Sequence, residues 1–93
     1  MEIEHRSSAE YQKWMRKLSP RDGSRVADKL LLLSMTGTNL TMPHVRRLGE
    51  GLCELRVDKY RLYFVVDDDC ASFLTYGEKD TQMRDIERAR KRQ

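Results

Sequence analysis

In the run ELRVDKYRLYF, Glu54 to Phe64, two stretches of strand-forming residues flank Asp58 and Lys59. A two-residue turn at that pair would set Arg56 directly opposite Arg61 and Glu54 opposite Tyr63, all on one face of an antiparallel ladder. Like charges facing each other across strands destabilise a sheet. Two guanidinium forks side by side make sense as a phosphate clamp, because each fork can hold two oxygens, and a neighbouring tyrosine can stack a base. The plain alternative is a pair of solvated surface charges balanced by Glu54 and Asp58. Against it stand the central place of the pair and a second group of cations, Lys79 and Arg84, which begins where the next strand ends. Another basic pair, Arg46 and Arg47, precedes the first strand. An open, basic sheet face of this kind suits RNA.

The elements that must position these residues follow from periodicity. Met1 to His5 alternates weakly and reads as a short edge strand. Ser7, with Glu10 three residues later, is a capping box. Behind it Tyr11, Trp14, Met15 and Leu18 form the apolar stripe of an amphipathic helix, closed by Pro20. Large aromatics at this spacing usually pack, so Trp14 is expected in the core. A second helix is expected after Asp22 to Ser24, with Val26, Leu30 and Leu33 inward, the stripe widened by Leu31 and Met35, and Gly37 as its stop. Thr38 to Glu50, which holds Asn39, Pro43, His44 and Gly49, reads as loop. Strands follow at roughly Leu52 to Val57, Tyr60 to Val66 and Cys70 to Tyr76. A three-residue turn in Asp67-Asp68-Asp69 would set Arg61 opposite Thr75 with Gly77 and Lys79 continuing on that face; a two-residue turn would put Tyr76 there instead. The last helix is expected to start near Asp80, with Met83, Ile86 and Ala89 or Arg90 facing inward. The order is β-α-α-β-β-β-α, an α+β fold. In it a helical hairpin covers one face of a small twisted antiparallel sheet of three or four strands and leaves the other face partly open.

Composition bounds the class. The chain of 93 residues is one domain with a thin core, and stability should be marginal without a partner. Hydrophobic residues make up 39%, charged residues 35% and the net charge is +3, so the placement of charge matters more than its total. From Arg84 onward five basic residues face two acids, which makes the C-terminus a basic patch. The N-terminus lacks the apolar run of a signal peptide, and no segment approaches the ~20 apolar residues that span a bilayer. Cys53 and Cys70 lie in expected strands without Cys-x-x-Cys spacing and read as buried free thiols, which points to the cytoplasm. No Gly-rich phosphate loop, metal-ligand cluster or Cys-His or Ser-His arrangement stands at motif spacing.

The runs GEGLCELRVDKYRLYF and YGEKDTQMRDIERARK resemble the RelE/ParE toxin superfamily, and within it the HigB-like addiction module killer proteins. The pattern Gly-x-Gly, Glu-x-Arg, Tyr-Arg-x-Tyr-Phe, Gly-x-Lys, Gln-x-x-Asp-Ile is met here by Gly49 and Gly51, Glu54 and Arg56, Tyr60 to Phe64, Gly77 and Lys79, and Gln82, Asp85 and Ile86. The likeness covers nearly the whole chain. It implies a RelE-like fold and the toxin of a type II toxin–antitoxin pair, a ribosome-dependent mRNA endoribonuclease that works without metal or cofactor. In such enzymes the ribose 2′-hydroxyl attacks the adjacent phosphate and leaves a 2′,3′-cyclic phosphate. By the resemblance Arg61 binds the scissile phosphate, Arg56 assists and Lys79 stabilises the leaving oxygen, while Arg46, Arg47, Tyr63 and Arg84 contact RNA. The best-known RelE proteins carry lysines where this chain has Leu52 and Glu54, and a tyrosine where it has Asp85. The acid/base role therefore stays open among Glu54, Asp85 and His44. The implied partners are a cognate antitoxin, a helix-turn-helix protein of the HigA-like kind, with the ribosome and mRNA, and no membrane. Two other readings remain: a ParE-like toxin that inhibits DNA gyrase without catalysis, and a bare RNA-binding or repressor-accessory module.

Overall fold

A computed structural model describes residues 1–93. Five strands form one sheet in the order β1-β5-β4-β3-β2. They are β1 (Glu2–His5), β2 (Val45–Gly49), β3 (Leu52–Val57), β4 (Tyr60–Asp67) and β5 (Cys70–Glu78). The helices are α1 (Ser8–Arg16), α2 (Pro20–Thr36) and α3 (Gln82–Arg92). The α+β class holds, but the sheet is mixed rather than antiparallel, because the edge strand β1 runs parallel to β5. Nor does it have three or four strands: Val45–Gly49, expected within a loop, is the other edge, paired antiparallel with β3. Val45 and Leu48 are the only large apolar residues in that strand, so its pairing rests on backbone bonds rather than on a readable pattern.

The helix signals act largely as expected. The Ser7 hydroxyl caps α1 by accepting from the Glu10 amide at 3.2 Å. Pro20 does not close α1; it opens α2 from the first helical position, where its missing N–H costs nothing, behind the Ser19 cap. Thus α2 begins before Asp22 rather than after Ser24. Gly37 ends it at φ 65°. Val26, Leu30 and Leu33 are buried, but Leu31 (59% exposed) and Met35 (78%) are not, so the apolar stripe is narrower than expected. Those three α2 residues pack on Leu55, Val57, Tyr60, Leu62, Phe64, Phe73 and Tyr76, with Tyr11, Trp14, Met15 and Leu18 at the margin. Trp14 is half-buried rather than core, stacked on Tyr76 with 5.3 Å between centroids and edge-on to Tyr60.

The opposite face is not open. Helix α3 lies on it, and Ala89 and Ile86 pack with Leu52, Tyr63 and Leu74. A single turn (Lys79–Thr81) precedes α3, which therefore starts two residues after Asp80. Met83, expected inward, is 87% exposed, and Asp85 takes the inward position instead. The helix is tied down along its length. Arg90 donates to Leu48 O at 2.9 Å and to Gly49 O at 3.2 Å, and Arg92 to Leu74 O at 2.7 Å and to both Glu10 oxygens at 3.0 Å. Much of the expected basic patch is thus structural. Cys53 and Cys70 are free and half-buried, not buried. No helix is long and apolar enough to cross a membrane.

Candidate functional site

The turn at Asp58-Lys59 has two residues, and Arg56 is paired with Arg61 and Glu54 with Tyr63 as the sequence predicts. Asp67 pairs with Cys70, so the aspartate turn is also of two residues, Asp68 and Asp69 both lying at positive φ. Tyr76 nevertheless does not end up opposite Arg61. The register slips between Phe64 and Tyr63, so Leu74 and Thr75 together face Tyr63, and Gly77 comes opposite Arg61. That bulge turns Thr75 and Gly77 toward α3 and returns Tyr76 to the core.

Two rows of side chains result on the α3 face. One is Arg46, Glu54, Tyr63 and Thr75; the next is Arg56, Arg61 and Gly77. Between the two rows sits the answer to the like-charge pair. The carboxylate of Glu54 is fully buried, with Oε1 3.5 Å from Arg56 Nε and 4.0 Å from Arg61 Nε. Its Oε2 accepts a short bond from the Gln82 amide at the first turn of α3. The other expected counter-ion is engaged elsewhere. The Asp58 carboxylate takes Arg25 in a two-point bond, which holds its pKa below the usual carboxylate range and raises that of Arg25. Only the backbone of Asp58 serves the site, accepting from Arg61 Nη1 at 2.7 Å while Tyr60 O accepts from the same nitrogen at 2.8 Å.

Arg61 is 6% exposed and therefore fixed in direction, yet its Nε carries no hydrogen bond. Glu54 Oε1 and the Tyr63 hydroxyl are likewise buried without a partner. Burial first, then the neighbouring carboxylates of Glu54 and Asp85, drive the Tyr63 pKa well up. Tyr63 packs with Ala89 under α3 and offers no stacking platform. A buried polar group without a partner costs free energy, and several converging on one spot mark a place where something else is meant to bind or where order is traded for function.

The remaining candidates are dispersed. Lys79 opens the turn just after β5, with its backbone amide bonded to Lys59 O at 2.8 Å and its side chain exposed. Arg46 is exposed on the α3 face opposite Glu54, whereas Arg47 points to the other face and donates to Thr38 O at 3.3 Å. The carbonyl of His44 accepts from the Arg56 amide at 2.8 Å, but its ring turns away to meet Lys29 Nζ at 2.9 Å. Asp85 lies beneath Gly77, accepting from Thr81 Oγ1 at 2.6 Å. A Cβ at position 77 would stand 1.9 Å from Asp85 Oδ2, which is why this position must be glycine. Arg84 is largely exposed, 3.7 Å from Asp85 Oδ1.

Reading the sequence missed Gln82 as the residue that anchors Glu54, although its three-residue spacing from Asp85 was visible. It also missed a groove of about 790 Å³ between α1 and α3, lined by Lys13, Lys17, Trp14, Tyr76, Arg84 and Arg88 among others.

No curated protein matches the chain. Residues 13–93 match the family described as "Phage derived protein Gp49-like (DUF891)". That span takes in α2, α3 and the strands carrying Arg46, Arg56 and Arg61, and so the chain belongs to this Gp49-like, phage-derived family, a RelE-like family associated with the toxins of toxin–antitoxin pairs.

Proposed function

We infer that the protein is the toxin of a type II toxin–antitoxin pair and acts as a metal-independent, ribosome-dependent mRNA endoribonuclease of the HigB-like kind. The observation that carries this reading is the pairing of Arg56 with a fixed Arg61 beside the N-terminal end of α3. Arg61 is held by two carbonyls, keeps Nε free and lies within 4.0 Å of a single buried carboxylate. A phosphate seated there would meet donors that need no rearrangement, which is the condition for stabilising a charged transition state. The positive end of α3 adds to the same field.

In this reading Arg61 neutralises the scissile phosphate, Arg56 assists it, Lys79 meets the leaving oxygen, and Arg46 guides the strand. Glu54 orients the two arginines. Its Oε2 accepts from the Gln82 amide and its Oε1 lies 3.5 and 4.0 Å from the two guanidinium groups, so in this reading it is their counter-ion and positions them. Asp85 is enclosed under Gly77 and the His44 ring faces Lys29, so neither the Asp85 carboxylate nor the His44 ring pairs with the two guanidinium groups. The protein's task is then charge neutralisation and in-line positioning of the 2′-hydroxyl. The partners are a cognate antitoxin of the helix-turn-helix, HigA-like kind, the ribosome and mRNA, and the compartment is the cytoplasm.

The test is purified protein added to translating ribosomes with a defined mRNA. Cleavage that needs ribosomes, yields 2′,3′-cyclic phosphate ends and falls about 10²–10³-fold in folded Arg61→Ala supports the reading. An Arg61→Ala protein as active as the wild type overturns it. Inhibition of DNA gyrase without cleavage would assign the ParE-like role instead.

A further inference from the structure

The groove between α1 and α3 has neither Arg56 nor Arg61 in its lining, although Gly77, the ladder partner of Arg61, borders it, and it is formed by elements on opposite faces of the sheet, meeting round its rim. On the α1 side stand Lys13 and Lys17, one turn apart and free of ion pairs, with Trp14 between them. On the α3 side stand Arg84 and Arg88. At about 790 Å³ it has the size of a small-ligand site. Its floor is aromatic, with Trp14 stacked on Tyr76 at 25° between planes.

A further observation points to a ligand. Asp85 is 1% exposed and lines the groove, and its Oδ1 accepts no hydrogen bond. The nearest cations, Arg84 Nε and Arg88 Nη1, are both 3.7 Å away, beyond hydrogen-bond range. An enclosed acceptor left open in a site walled by cations fits a ligand that brings anionic groups and N–H or O–H donors together.

We propose that this groove binds a ribonucleotide segment of single-stranded RNA, with phosphate between the Lys13/Lys17 and Arg84/Arg88 walls, a base against Trp14, and Asp85 Oδ1 accepting from a base amino group or a ribose hydroxyl. An acidic protein segment could meet the cations but need bring no planar ring to lie against Trp14. A nucleotide satisfies both signs of charge and the aromatic floor. The site goes beyond the cleavage reading and stands whether or not Arg61 cuts RNA.

Trp14 is the chain's single tryptophan, so its fluorescence reports on the groove directly. Hexauridylate titrated into the full chain should quench it, with an affinity that falls as salt rises. Lys13→Glu combined with Lys17→Glu should weaken that binding at least tenfold, and Arg84→Glu should do the same from the opposite wall. The milder Lys13→Gln/Lys17→Gln protein should lower the salt slope by about 1.4, from about 0.7 per lost phosphate contact on a single strand. Arg61→Ala should leave the quenching in place, which separates this site from the arginine pair. Absence of quenching, quenching that survives both charge reversals in folded protein, or equal quenching by hexaglutamate would overturn the proposal.

Discussion

Glu54 is the residue on which the candidate site turns, and its removal has a calculable consequence. At 4.0 Å and an effective dielectric of about 20, the attraction between Glu54 and Arg61 is about 4 kcal/mol. The Arg56 pair is shorter at 3.5 Å, but that side chain is 30% exposed, so solvent screens it toward the range of about 0–1 kcal/mol. Truncation also strands the Gln82 amide and leaves Arg61 Nε facing another cation across the ladder. Glu54→Ala should therefore cost about 3–5 kcal/mol, the usual cost of breaking a buried pair from one side. In a small domain with about 5–15 kcal/mol in all, that is a large share. Glu54→Gln keeps the volume and should cost less. Urea unfolding with an unchanged slope measures both. The informative arm is inorganic phosphate at constant ionic strength. With the carboxylate gone, the arginine pair should take phosphate in its place, and at ten times its Kd this restores about 1.4 kcal/mol, or about 6–11 °C in Tm. The wild type should gain less, because Glu54 already neutralises part of the charge of the pair. If Glu54→Ala lies within about 0.5 kcal/mol of wild type, or if phosphate stabilises both proteins equally, Glu54 is not the counter-ion that holds the pair.

Gly77→Ala should destabilise by about 1–3 kcal/mol or more and loosen α3, because a Cβ there would overlap Asp85 Oδ2; hydrogen exchange in α3 will rise if this is right, and an undisturbed helix contradicts the packing. His5, stacked on Tyr11 at 3.7 Å, has its pKa lowered by burial from 6.5, so the folded state binds fewer protons than the unfolded one. Stability should be full above about pH 6.5 and fall as pH drops through 6.5 toward the lower folded value, a component absent from His5→Phe in paired melts at pH 7.5 and 5.5. Trp14, half-buried between Lys13 and Lys17, should be quenched more by iodide than by caesium; equal quenching would place it outside the cationic groove. A cognate antitoxin with an acidic toxin-facing surface should co-purify with the protein, abolish its toxicity and bind more slowly as salt rises; neutralisation without association would count against a protein antidote.

The parts legible in the sequence are those fixed by local chemistry. The caps at Ser7 and Gly37 and the two-residue turn at Asp58-Lys59 each depend on a few adjacent residues, and the Arg56–Arg61 pairing follows from that turn by counting. The parts that were not legible depend on something distant. The edge strand Val45–Gly49 exists because β3 offers it a ladder, and with Arg46, Arg47 and Gly49 it has no apolar alternation to betray it. The register across β4 and β5 hangs on one bulge at Leu74-Thr75, which no residue type announces.

That bulge, together with α3, also explains why the site looks open in the sequence and is half-closed in the structure. Alternation places Glu54, Tyr63 and Arg61 on one face but says nothing of what covers it. The inward residues of α3 are Asp85, Ile86 and Ala89 rather than Met83, and Asp85 can lie against the sheet only because Gly77 has been turned toward it. With Gly77 in that place, α3 enters beside Arg61, and Gln82 reaches Glu54. Arg61 is then buried enough to be fixed while Arg46 and Arg56 stay within reach of solvent. A fully open face would leave the arginines solvated and mobile, and a fully covered one would exclude a phosphate. The one-residue slip in β5 sets the protein between these two states.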